Sequence, residues 1–415
     1  MRSVIDRMAF RIALLLFGAV ELTSRIMAWL FPRGGRDVKR RILIVADGRL
    51  GDFIYDAPLY HALRKCFPHD GNHIVVATAT PFSPLAEAMP YFDEVRPCDA
   101  VERHPLVWIA KGPLRWAWHR QFDILVVASW PRVAVHDWLC RLFRPSVSIA
   151  YESRLTAGSY PYSEIWQRGK GDRLWRHLVP DCTGRSKAMD FQEFIDAASS
   201  SGVKADPSHK LLLKQPAASS SSLDDAPGRP MAVLVPGANA KYRQWPLARF
   251  AELARQLKLA CPGIRFVVVG NSKEAELGRA LAAQFADCMT DLCGKTDLVL
   301  LAQLLSPRDG THKTVISNET GTAHLAAALG TPTVVILGGG DFGRLFPMSY
   351  RDNVRVVSCE MKCFNCGWRC SKTDLSKQVA TCVADVGVDS VFRAAMDVMA
   401  DIVPLEGADS GVPKE

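Results

Sequence analysis

The sequence predicts an α/β protein built from two doubly wound, Rossmann-like domains, and three stretches carry that prediction. Arg41 to Ala46 reads as a buried-type strand, enters a glycine turn (Asp47, Gly48, Arg49, Leu50, Gly51, Asp52) and continues as helix to Cys66. A second strand, Met231 to Val235, follows a polar tract and leads through a loop into another helix. The third stretch, Thr314 to Leu337, opens with β-branched Val315 and Ile316, turns through Ser317 to Gly321, enters an Ala/Leu-rich helix and meets a further strand at Thr333. Each is a strand, turn and helix, the repeating unit of a doubly wound sheet.

At 415 residues the chain exceeds what one core usually serves and implies about two domains. Its apolar content of 48% and charged content of 23% are ordinary for a globular protein. The net charge of +8 is concentrated at the start: residues 1–50 hold ten Lys/Arg against four acids, which is six of the eight excess positive charges. That asymmetry favours an anionic membrane surface, and without a basic stripe elsewhere it argues against nucleic acid. Twelve cysteines in a chain without a small-x-small cleavage site point to reduced thiols rather than a disulfide framework.

In chain order, residues 1–37 form the first segment. Between residues 4 and 31 the longest uncharged run, Ile12 to Val20, is short of the roughly 20 residues a span needs. Wound at about 100° per residue, Arg7, Arg11, Gly18, Glu21 and Arg25 share one narrow stripe, interrupted by Leu14. The segment is expected to be an amphipathic helix lying in the membrane interface; a signal anchor and a helix packed on the protein are the alternatives. Residues 38–213 form the expected first domain, with further strands at His73 to Ala79 and Asp123 to Ser129. Its glycine turn is not GxGxxG and lacks a suitably placed ribose acid, which disfavours a nicotinamide cofactor. Asp52 at the helix start is either a plain N-terminal acid or a catalytic base. Arg49 and Gly51 beside it are expected on the acceptor side. Val107 to Arg120 mixes Trp108, Trp116 and Trp118 with Lys111 and Arg115, and reads either as an amphipathic core helix or as a wall for an anionic acceptor. Tyr151 to Lys187 reads as a long aromatic and basic loop.

Residues 214–230, rich in Ser, Pro and Ala, are the expected linker, and residues 231–385 the second domain. Lys241 and Arg243 follow its first strand, where cations can meet a diphosphate, although a solvated loop is the plainer reading. Ile264 to Val269 is a strand leading to a helix that carries Glu276 and Glu274, the latter expected among the donor-binding residues. At the third stretch a helix N-terminus offers N–H groups to a phosphate, Gly321 permits close approach, and Glu319 can bind sugar hydroxyls; the plainer reading is a helix capped by Thr320. Cys363, Cys366 and Cys370, with Cys359 and Cys382, read as a structural clip, either zinc-bound, unligated or disulfide-bonded. A last helix, Asp389 to Val403 within residues 386–405, is expected to close back across a cleft onto the first domain.

Two Rossmann-like domains facing a cleft is the architecture of the GT-B glycosyltransferases. Three ordered motifs, Arg41 to Leu63, Val233 to Leu253 and Ser317 to Pro332, resemble the lipopolysaccharide heptosyltransferase family, glycosyltransferase family nine, over roughly residues 40–400. The resemblance implies the GT-B fold and an inverting transfer of a heptose-like sugar from a nucleotide donor of ADP-heptose type, without a metal or other cofactor. The acceptor it implies is lipid-linked or a lipopolysaccharide core, and the polar stripe with the N-terminal charge leads us to expect a peripheral, monotopic enzyme on the cytoplasmic face of the inner membrane. The resemblance also implies Asp52 as general base, Arg243 (a lysine in many members) on the diphosphate, and Glu319 with Thr320, Gly321, Thr322 and His324 on the donor. The chain departs from the family at Val235, a frequent histidine, and at Gly338 to Asp341 (GGGD), where Gly-Pro-Thr-Asp is more usual. A GT-B nucleotide-sugar epimerase and a non-catalytic sugar-nucleotide-binding paralogue are the alternatives.

Overall fold

A computed structural model describes residue 22 and residues 39–98, 122–129, 132, 134–152, 172–180, 186–214, 229–307, 312–348 and 351–400. The chain divides into two compact units, residues 1–215 and 216–415, so the division falls within the polar tract.

In the first unit, strand β1 (Arg40–Ala46) feeds helices α1 (Leu50–Tyr55) and α2 (Ala57–Cys66), with a break at Asp56. Strand β2 (Asn72–Thr78), helix α3 (Ser83–Ala88) and strands β3 (Glu94–Pro97) and β4 (Ile124–Val127) follow. Helix α4 (Ala134–Phe143), strands β5 (Val147–Tyr151) and β6 (His177–Val179) and helix α5 (Phe191–Ala198) complete it. The sheet is parallel with order β3-β2-β1-β4-β5-β6. Ile42 to Val45 and Leu125 to Val127 are fully buried, as central parallel strands covered on both faces must be.

The second unit repeats this plan. Strand β7 (Met231–Val235), helix α6 (Leu247–Ala260), strand β8 (Arg265–Val268), helix α7 (Ala275–Ala282) and strand β9 (Met289–Asp291) form one half. Helix α8 (Leu298–Leu305), strand β10 (Lys313–Asn318), helix α9 (Gly321–Leu329), strands β11 (Thr333–Leu337) and β12 (Val354–Ser358), and helices α10 (Thr381–Ala384) and α11 (Val388–Ala400) form the other. The sheet order is β12-β11-β10-β7-β8-β9, again parallel. Counted from each unit's own first strand, both sheets have the order 3-2-1-4-5-6. That order reverses direction between β1 and β4 in one unit and between β7 and β10 in the other, and ligands of open α/β sheets bind outside the strand ends at such switch points.

Helix α11 places Val391, Ala395, Val398 and Met399 in the core of its own unit, beside α6 and β10 to β12. One expectation is corrected here. The segment from Tyr151 to Lys187 is not loop throughout: Tyr151 ends β5, His177 to Val179 is a strand, and Lys187 is a buried amine bonded to Asp56 at 2.7 Å. Short edge strands such as β6 and β9 have too few residues to show a period. The expected interfacial helix at residues 4–31 and the segment Val107 to Arg120, with Lys111 and Arg115, lie outside the described residues, residue 22 excepted. Among the described residues no helix is long and apolar enough to cross a membrane.

Candidate functional site

At the switch point of the second sheet, Asn318 ends β10 with its side chain fully buried. Its Oδ1 accepts the Trp245 N–H at 2.9 Å, and its Nδ2 donates to the carbonyls of Pro236 at 2.8 Å and Gly237 at 3.3 Å. One amide thereby ties the loop after β7 to the end of β10. Trp245 is itself anchored, its Nε1 donating to Val386 O at 2.9 Å and its ring meeting Phe250 edge-on at 5.0 Å.

That scaffold carries Arg243, which ends the short 3-10 turn Lys241–Arg243. Its Nη1 lies 3.5 Å from Glu319 Oε2 and its Nη2 donates to Asp341 Oδ2 at 3.1 Å. The guanidinium carbon sits 4.4 Å from the centre of the Trp368 ring and 5.8 Å from that of Tyr242. Trp368 Nε1 donates to the same Asp341 oxygen at 2.8 Å. Arg243 Nε is buried with no hydrogen-bond partner. A guanidinium has five N–H donors in a planar fork, and a buried unpaired donor costs about 1–3 kcal/mol, so this group is set to receive an acceptor. Lys241, two residues away, is exposed and stands apart from the cluster.

The other expected donor residues have separate destinations. Thr320 caps α9, its Oγ1 accepting from Ala323 N at 3.4 Å and lying 3.2 Å from Ser317 Oγ. Gly321 and Thr322 form the first turn of that helix and are half-buried, so their peptide dipoles face the region of Glu319. His324 is buried and stacks on Phe346 at 4.4 Å, a packing position within the helix's core face. Glu274 closes a capping box, accepting the Asn271 N–H at 2.7 Å. Its carboxylate also fills the space over Gly237, where an added Cβ would meet Oε1 at 2.0 Å. Burial pushes the Glu274 carboxyl up, and the Asn271 N–H opposes that.

Sequence reading missed Asp341 and Trp368 as partners of Arg243, since one lies far along the chain and the other inside the cysteine block, and it gave the neighbouring Tyr242 no role. The one available signal was the GGGD departure. A Cβ at Gly340 would stand 2.2 Å from the Trp368 ring, one at Gly339 2.2 Å from Phe364, and one at Gly338 2.7 Å from Trp368 and Val383. These three glycines are sockets for aromatic rings of the cysteine block, which is why a Pro-Thr pair cannot stand there.

Of the cysteines, Cys363, Cys366, Cys370 and Cys382 line one small pocket with Phe364 and Trp368. All four are free thiols, and among the described residues no group of three or more His, Cys, Asp or Glu is placed to hold a metal ion. The thiolate of Cys370 is favoured chiefly by the backbone N–H of Lys372, and burial pushes the Cys382 thiol up while Gly339 N donates to its sulfur at 3.4 Å.

At the switch point of the first sheet, Asp52 is the third residue of α1, half-buried, after the exposed Arg49 at the N-cap and Gly51 in the first turn. The turn that carries it is pinned from below. Asp47 is buried, its N–H donating to Ser129 Oγ at 2.9 Å while Ser129 Oγ donates to Asp47 Oδ1 at 2.6 Å. His136 Nε2 on α4 lies 3.1 Å from both carboxylate oxygens. Burial pushes the Asp47 carboxyl up, but His136, Ser129 and its own peptide together hold it below the usual carboxylate range. Neither Ser129 nor His136 was legible as a partner, because both come from the strand and helix across the switch.

Residues 190–375 match the model of glycosyltransferase family 9 (heptosyltransferase). This stretch is similar to glycosyltransferase family 9. The family 9 stretch contains Arg243, Glu319, Asp341 and Trp368 and leaves out Asp52. Lipopolysaccharide heptosyltransferase 2 of Escherichia coli is 33% identical over 132 residues, which is 30% of this chain and 36% of that protein. The chain thus matches about a third of the length of that relative. Two solved structures share the fold. The Escherichia coli ADP-heptose lipopolysaccharide heptosyltransferase II aligns with a TM-score of 0.59 at 21% identity, covering 87% of this chain and 99% of that one. A family 9 glycosyltransferase of Veillonella parvula aligns with a TM-score of 0.63 at 17% identity, covering 88% and 99%.

Proposed function

We propose that the protein is an inverting glycosyltransferase that moves a heptose-like sugar from a nucleotide-diphosphate donor of ADP-heptose type to a lipopolysaccharide-core or lipid-linked acceptor. The observation that carries this reading is Arg243 at the switch point of the second sheet, oriented by Glu319 and Asp341 and keeping a buried Nε without a partner. A planar guanidinium held this way matches the oxygens of a diphosphate and offsets the charge that develops on the leaving group. The N-terminus of α9 adds the positive end of its dipole, and Glu319 can accept from sugar or ribose hydroxyls. The names of the similar proteins supply the donor and acceptor classes, and the family 9 match covers the donor-side residues.

In the first unit, Asp52 takes the acceptor hydroxyl proton as the sugar's anomeric carbon is attacked from the face opposite the leaving diphosphate. The Asp47, Ser129 and His136 network holds the turn from which Asp52 projects. The N-terminal charge supports work at the cytoplasmic face of the inner membrane, where the acceptor's lipid would be anchored.

The test is to incubate the purified full chain with ADP-heptose and a heptose-deficient lipopolysaccharide acceptor and to measure ADP release and acceptor mass. Transfer that is abolished in Arg243→Ala, with thermal melting unchanged, is the expected result. Donor hydrolysis or epimerisation without any acceptor product would refute the transferase reading.

A further inference from the structure

The cysteine block reaches the donor site through one residue. Asn365 N donates to Gly339 O at 2.7 Å and Gly367 N to Gly340 O at 2.9 Å, so the loop 364–368 is stitched along the glycine run by its backbone. Trp368 then drops into the space that the absent side chains of Gly338 and Gly340 leave. It does so from a left-handed conformation, φ 60°, next to Asn365 at 64° and Gly367 at 58°. A bulky residue there is strained and persists only where its surroundings over-determine it. What the conformation achieves is visible: the indole face lies 4.4 Å from the Arg243 guanidinium carbon, and the indole N–H donates to the same Asp341 oxygen that accepts from Arg243 Nη2.

We propose that Trp368 is a positioning residue for Arg243, restraining the guanidinium with its aromatic face and through the carboxylate that its N–H orients, so that it meets the donor diphosphate preorganised. The clamp supplies two separable contributions. Ring stacking restrains the guanidinium plane, and the Nε1–H to Asp341 bond fixes the carboxylate that anchors Nη2. Without the clamp, the long Arg243 side chain regains rotamers that donor binding must then freeze. The glycine run is part of the same device, because a methyl group at residue 340 would collide with the ring at 2.2 Å.

This inference rests on the reading of Arg243 as the diphosphate ligand, and the test keeps the two apart. ADP affinity is measured by calorimetry for the wild type and for Trp368→Ala, Trp368→Phe, Gly340→Ala, Arg243→Ala and the double variant Arg243→Ala with Trp368→Ala. Melting curves check that each is folded. Trp368→Ala and Gly340→Ala are expected to weaken ADP binding about tenfold, and Trp368→Phe, which keeps a ring but no N–H, by roughly threefold. In the Arg243→Ala background, removing Trp368 is expected to cost nothing further, since its effect runs through the missing guanidinium. An unchanged ADP affinity in the Trp368 variants, or a loss that simply adds to that of Arg243→Ala, overturns the positioning role. If Arg243→Ala itself binds ADP as the wild type does, the donor-site assignment fails as well.

Discussion

Replacing Asn318 by aspartate exchanges one NH2 for one oxygen at the junction that holds the donor loop, and its cost can be worked from the surrounding atoms. The Trp245 N–H can only donate, so it fixes which end of the amide is oxygen, and that bond survives the exchange. The other end now sets a carboxylate oxygen against the carbonyls of Pro236 at 2.8 Å and Gly237 at 3.3 Å, with the side chain fully buried. Two hydrogen bonds of about 1 kcal/mol each are lost if the group stays ionised, and the buried charge adds to that. The cheaper response is to take up a proton and donate it to Pro236 O. Holding a carboxyl of ordinary pKa near 3.9 neutral at pH 7.5 costs at most about 5 kcal/mol, at about 1.4 kcal/mol per pH unit. Asn318→Asp is therefore expected to lose about 3–5 kcal/mol at pH 7.5. Because the new group has a folded pKa raised above its unfolded value, the penalty shrinks as pH falls and is largely gone near pH 4. Thermal melting of wild type and variant side by side from pH 8 to 5 reads this directly. A gap that is absent at pH 7.5, or that does not narrow with acid, would show that Asn318 does not carry the junction.

Asp52→Asn is expected to keep ADP affinity and the fold while slowing transfer by roughly 10²- to 10⁴-fold, the usual range for a lost general base; near-normal turnover returns Asp52 to a role in helix α1 alone. Asp93 gives a pH test in the first unit. Burial pushes its carboxyl up, but Arg64 Nη2 at 2.6 Å, Ile74 N–H at 2.7 Å and His69 Nδ1 at 2.7 Å bring it down to about 2. With the folded value depressed below an unfolded value near 3.9, its stabilisation is present above about pH 4 and lost as pH falls toward 2, so the wild-type advantage over Asp93→Asn in acid melting should disappear across that window. An advantage that is constant with pH refutes the ion-pair account. Removing residues 1–36 should abolish sedimentation with anionic lipid vesicles while ADP binding persists; continued co-sedimentation at high salt places the membrane contact elsewhere.

The elements with the strongest local patterns were legible in the sequence. Strand β7 has the bounds that its β-branched run implies, β1 and β10 are found within a residue or two, and Thr320 is the N-cap that its position before Gly321 suggests. Those features depend on side-chain period and on hydrogen bonds between near neighbours, and both are written locally. The position of Arg243 after the first strand of the second sheet follows from the same local order. Its partners do not. Glu319, Asp341 and Trp368 meet it because the sheet order reverses between β7 and β10 and because a glycine run leaves room for an indole ring, and both are consequences of how distant segments pack. Lys241 and Arg243 look equivalent as sequence, yet one is exposed and the other is clamped, since a tight turn sends their side chains different ways. The stacking of His324, a donor residue by resemblance, on Phe346 is likewise a contact between distant segments. The sequence by itself determined the two doubly wound sheets and the strand ends at which chemistry gathers. Only the tertiary structure decided which charged groups face one another there, because burial and charge pairing are set by neighbours that the chain brings together from about a hundred residues away.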